Sequence, residues 1–137
     1  MNNGFKPYLV VAGRLLYAAI FLAGALGHFS QAEIGYAAHQ GVPLANVLVP
    51  LSGLLALAGG LSVLLGYRAK LGAWLLVLFL VPVTATMHNF WAVKDPMMAA
   101  MQQAMFLKNL SMLGGALLIA YFGAGPLSLD AARAAAQ

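Results

Sequence analysis

Residues 71–90 read LGAWLLVLFLVPVTATMHNF, an apolar run without one acidic or basic residue until His88. About 20 such residues are what a helix needs to cross a hydrocarbon core of roughly 30 Å. In lipid no water satisfies the backbone, so a run of this kind must close its own hydrogen bonds as a helix. Three further stretches meet the same requirement, 8–28, 43–66 and 96–122. Only 7% of the 137 residues are charged and 63% are hydrophobic, against about 25% charged in an average soluble protein. The expected fold is therefore all-α, a four-helix transmembrane bundle in one domain over 1–137, with 127–137 as a tail.

Each boundary carries a local signal. Asp95-Pro96 places an N-cap and a proline at the first helical position of the fourth span. Ser30-Gln31-Ala32-Glu33 has capping-box spacing, which predicts a short amphipathic helix over 32–40 in the first outer loop. Gly41 and Pro43 stop it. Ser128 is a candidate cap for a short helix in the alanine-rich tail. Pro50 and Pro82 lie inside spans two and three and read as tolerated bends. The first span is too long for a signal-peptide core and no small-residue cleavage site follows it, so it is expected to be retained.

Lys6, Arg68, Lys70 and Arg133 fall on one side of the spans, and Lys94 on the other. The positive-inside rule then puts both termini in the cytoplasm of a multi-pass membrane protein. Spans one and three each end in a histidine near phenylalanine, and spans two and four each carry a Gly-Gly pair. That is a faint two-hairpin repeat. The glycines permit close helix approach, within one bundle or against a second protomer as a homo-oligomer.

The seven Lys and Arg are too scattered for a nucleic-acid footprint, and the absence of cysteine excludes thiolate chemistry within the chain. What remains is a set of polar groups at chosen depths. Arg14 is either a snorkelling residue or a buried one, with Asp130, backbone carbonyls and the hydroxyls of Tyr17, Tyr67 and Tyr121 as its available partners. It shares a face with Tyr17, Phe21, Gly24 and His28, expected to point inward. Lys108 lies about 22 Å up span four from its inner end, just below the outer boundary. Asn109 follows it, and Lys108, Ser111, Met112 and Gly115 share a face expected to pack inward. An intramembrane lysine is a site hypothesis by default. His28, His88, Asn89, Lys108 and Asn109 are thus expected to converge near the outer face, with Trp91 among the aromatic walls. Trp91 also reads simply as an interface anchor. Such donors suit a quinone carbonyl or a small oxyanion. A haem b held by two histidines, or a metal held by His28, His88, Glu33 and His39, lacks fixed ligand spacing, and Lys108 would repel a cation; neither is expected.

Arg14, Phe21-Leu22-Ala23-Gly24 with His28-Phe29, Gly41-Val42-Pro43, His88-Asn89-Phe90-Trp91 and Phe106-Leu107-Lys108-Asn109 with Gly114-Gly115 occur in an order and spacing that resembles the DoxX family of small bacterial membrane proteins. The resemblance covers nearly the whole chain. It implies a four-helix membrane subunit of a quinone-linked redox system, in sulfur-compound (thiosulfate-type) oxidation or redox defence, working with a redox partner protein. Arg14 would be an inner contact of that unit. The alternative from a different class is a non-catalytic accessory membrane subunit or small transporter, whose polar residues only hold helices together.

Overall fold

A computed structural model describes residues 3–137 and is all-helical. Six α-helices follow in order: α1 (Lys6–Ala25), α2 (Gln31–His39), α3 (Ala45–Leu65), α4 (Ala69–Met87), α5 (Pro96–Phe122) and α6 (Leu129–Ala135). Four of them, α1, α3, α4 and α5, are long and apolar enough to cross a membrane. A single 3₁₀ turn continues α1 to Phe29, and another follows α4 at Phe90–Ala92. At 27 residues α5 is about 40 Å long, longer than the hydrocarbon core requires.

The expected caps form. Ser30 Oγ accepts from Glu33 N at 3.2 Å, and Asp95 Oδ1 accepts from Met98 N at 2.8 Å. Ser128 Oγ accepts from Ala131 N at 3.1 Å, which starts α6. Helix α2 is amphipathic: Ile34 and Ala37 are buried against Ala45 and Val49 of α3, while Glu33, Tyr36 and His39 are exposed. Both Pro50 and Pro82 sit inside uninterrupted helices.

Helix α1 packs on α3, α3 on α4, and α4 on α5. The core where they meet is Phe21 and Ala25 of α1, Ala56 and Val63 of α3, Leu76, Phe79 and Leu80 of α4, and Ala116 of α5. Membrane helices gain nothing from excluding water from one another, so close backbone approach has to supply the attraction. At the α3–α4 crossing it does. A Cβ on Gly59 would stand 2.8 Å from the Gly72 carbonyl oxygen, and one on Gly72 would overlap the Ser62 side chain. The second Gly-Gly pair behaves differently. Gly115 receives the edge of the Tyr17 ring, whereas nothing lies within 4 Å of a Cβ on Gly114. The two hairpins therefore use their glycines differently.

At the end carrying Arg68 and Lys70 the tail folds back onto the bundle. Arg14 is 6% exposed, so it is a buried residue and not a snorkelling one. Its Nη1 donates to Ala124 O at 3.0 Å and its Nη2 to Leu127 O at 2.7 Å. Backbone carbonyls hold it; Asp130 has another task. The Asp130 carboxylate accepts from Arg68 N at 2.7 Å and Ala69 N at 3.0 Å, capping the start of α4 from the tail. Asp130 N in turn donates to Gly66 O at 2.8 Å. Gly66 has φ +64, and a Cβ there would lie 2.6 Å from Arg14 Nη1. Only glycine suits that point.

Two outcomes follow from this packing. Gly59→Ala should lower the thermal unfolding midpoint in detergent, with an overpacking cost of about 1–3 kcal/mol, whereas Gly114→Ala should leave it unchanged. Arg14→Met would strand two carbonyls of the tail at about 1–3 kcal/mol each. Hydrogen exchange at residues 124–135 should then accelerate well before the spans are affected; exchange at the wild-type rate would show that Arg14 does not hold the tail.

Candidate functional site

The candidate residues do not converge on one place. Arg14 belongs to the tail connection just described. At the opposite end, His28 sits at the close of α1, with its Nδ1–H directed at Gly24 O, 3.0 Å away in its own helix. Its ring meets Phe79 of α4 edge-on at 5.6 Å, and its Cβ lies against Gly53 of α3. Glu33 Oε2 stands 3.8 Å from the same Nδ1, a contact that is ionic only when the imidazole is protonated. The expected inward face of α1 is buried at Arg14, Ala18, Phe21 and Ala25, while Gly24 is exposed.

His88 follows α4 and turns toward α5. Its Nδ1–H donates to Gln102 Oε1 at 2.8 Å, so its partner is an amide that sequence reasoning did not single out. A neutral imidazole that donates from Nδ1 offers only an acceptor at Nε2. In the neutral form both histidines donate from Nδ1 in this way, and neither then presents a free N–H to a ligand carbonyl. Asn89 is half-buried and its carbonyl accepts from Ala92 N, closing the turn after α4. Trp91 is 64% exposed and stacks edge-on with Phe90 and Phe106 at 5.3 and 5.8 Å. That exposed aromatic group has the character of an interface anchor.

Helix α5 is rotated from the expected setting. Asn109 and Ala116 are its buried residues, with Asn109 4% exposed, and Lys108 and Ser111 face outward. The physical reason is Tyr17. Its hydroxyl donates to Met112 O at 2.7 Å and its ring fills the notch at Gly115, so α1 itself occupies the surface that was assigned to the inward face of Lys108. Lys108 and Asn109, adjacent in sequence, therefore point to different surroundings.

Lys108 opens into a lateral groove between α1 and α5, a cavity of about 500 Å³ lined also by Leu16, Tyr17, Ile20, Ser111 and Met112. Among the described residues Lys108 has no acidic partner; no span contains an Asp or Glu. The groove holds one cation, the hydroxyls of Tyr17 and Ser111 and an apolar wall, and neither His28 nor His88 lines it. Tyr17 also begins a chain of ring contacts that runs through Phe21 and Phe79 to His28, at 5.3, 6.2 and 5.6 Å. Phe79 and Gln102 were missed in the sequence, because an aromatic or amide within an apolar helix gives no signal of its neighbour's identity.

Comparison with known proteins gives the relationship. The SURF4 family model matches residues 1–135. The chain is similar to the inner membrane protein YqjF of Escherichia coli, 31% identical over 127 residues that make up 88% of each chain. It is also similar to the ER-derived vesicles protein ERV29 of Saccharomyces cerevisiae, 28% identical over 129 residues, which are 94% of this chain but only 35% of the yeast protein. This chain thus spans about a third of the length of that relative. No solved structure matches. These matches overturn the resemblance to the DoxX family. The pieces on which it rested are short apolar blocks around single polar residues, a pattern that a small four-helix membrane bundle of either kind can carry. Four apolar helices together with the bacterial relative make this a multi-pass protein of the cytoplasmic membrane, and the chain belongs to the SURF4 family.

Proposed function

We propose that this protein is a non-catalytic accessory module of the membrane, which holds an acidic or strongly hydrogen-bond-accepting segment of a partner membrane protein in the groove between α1 and α5. One observation carries the reading: Lys108 is exposed within the span, on a concave surface, without an acidic partner among the described residues. A lysine at the bilayer centre costs about 2.5–3.5 kcal/mol and one nearer the boundary, like Lys108, less; a carboxylate from a partner helix would relieve that cost. The other polar groups in the spans support a structural role. Arg14, Tyr17 and His88 each direct their hydrogen bonds to this chain's own backbone or amides. The relatives are described by the membranes they occupy, the vesicles derived from the ER and the inner membrane, which suits a membrane-resident module.

A second reading draws on the same lysine. Lys108 and Ser111 beside an apolar wall could take the carbonyl head of a quinone, the ligand of the redox assignment. That assignment lost its family support, and the histidines expected to share the site lie elsewhere.

A photoreactive amino acid at Ile20, used in native membranes, separates the two. The accessory reading expects a crosslink to another membrane protein that survives Lys108→Arg and falls at least fivefold in Lys108→Glu. Equal crosslinking in Lys108→Glu and the wild type would sink it. Protection of the groove by a quinone analogue, with no protein crosslinked, would transfer the site to the second reading.

A further inference from the structure

We propose a second binding site, at the other end of the bundle, for a phosphate-bearing headgroup: the anionic phosphate of a membrane phospholipid, seated between the start of α4 and the end of α5. A cavity of about 530 Å³ lies there. Its cations are Arg68 and Lys70, its apolar floor is Leu71 and Phe122, and Ser128 and Asp130 of the tail complete its rim.

Four features fit that ligand. The cavity lies where spans α4 and α5 emerge on the basic side, the cytoplasmic one by the positive-inside rule, so a headgroup can reach it without leaving the bilayer. Leu71 and Phe122 are both exposed, at 54% and 73%, and continue the lipid-facing surface for acyl chains. The acidic member of the rim is already occupied, since both Asp130 oxygens accept from the backbone at the start of α4. Its charge answers the positive end of that helix, and among the described residues neither side-chain cation comes within ion-pair distance of it. Finally, Arg68 is held in the left-handed region at φ 49, with its guanidinium 5.9 Å from the Tyr67 ring, and Arg133 covers that ring at 4.9 Å. Arg68 and Arg133 therefore share the Tyr67 ring, with Lys70 two residues beyond Arg68, and basic residues clustered between membrane helices bind anionic headgroups. Lys70 also passes over Gly123 at the end of α5, where a cation suits the helix terminus. That role predicts stabilisation without any preference between lipids, which the experiment distinguishes.

The test uses the full chain purified in a neutral detergent, with phosphatidylglycerol, phosphatidylcholine or inorganic phosphate added. Retention of lipid is read by native mass spectrometry and the unfolding midpoint is read in parallel. Phosphatidylglycerol should be retained in preference to phosphatidylcholine and should raise the midpoint. The Arg68→Gln/Lys70→Gln double variant should bind it about tenfold to thirtyfold more weakly, from two basic contacts of about fivefold each. Arg68→Lys/Lys70→Arg should restore binding, and Lys6→Gln should not alter it. Competition by inorganic phosphate alone at matched concentration would keep the site and assign it to the free anion. Equal retention of both lipids, or undiminished phosphatidylglycerol binding by a folded double variant, would overturn the proposal. The groove at Lys108 is untouched by these variants, so failure here leaves the accessory reading standing.

Discussion

A guanidinium inside a hydrocarbon layer has to find acceptors within its own protein, and Arg14 finds them 110 and 113 residues further along the chain. Those two hydrogen bonds reach Ala124 and Leu127, the link between α5 and α6. Once that link is fixed, α6 lies where Asp130 can reach the turn between α3 and α4. Helix α1, the α3–α4 turn and the end of α5 thereby meet at one point. Gly66 makes room for the contact, and its left-handed backbone also ends α3: Tyr67 N reaches back to Ser62 O at 3.0 Å. The Nε of Arg14 is buried there without a partner among the described residues, and Arg68 and Leu127 are held at φ 49 and 52, costs that this arrangement carries.

The two ends of the bundle are consequently unlike. The basic end is tied by hydrogen bonds between elements distant in sequence. Along α1 and α5 the closure is lighter, resting on the Tyr17 ring against Gly115 and its hydroxyl on Met112 O. A bundle firm at one end and open along one seam can present that seam to another molecule without losing its fold.

Length and caps were legible because each depends on a few adjacent residues. Span lengths follow from hydrocarbon thickness, and Ser30, Asp95 and Ser128 each accept where a capping side chain should. Rotation about the helix was not legible. The apolar residues of α5 go nearly all round it, so hydrophobicity did not say which face turns inward, and the choice between Lys108 and Asn109 fell to Tyr17 on another helix. His28 and His88 were placed at a common level for the same reason and then separated by direction, one toward Phe79 and the other toward Gln102. Family identity was misread because blocks of three or four residues record the demands of the bilayer as much as ancestry.

The cap on α4 has a consequence for the order in which the molecule is completed. Arg68 and Ala69 offer backbone donors as soon as they are synthesised, but the carboxylate that receives them comes 62 and 61 residues later. Until then the first turn of α4 must borrow acceptors from water or headgroups at the membrane surface. A segment made later thus finishes a helix already inserted, and docking of the tail links α1, the α3–α4 turn and the end of α5.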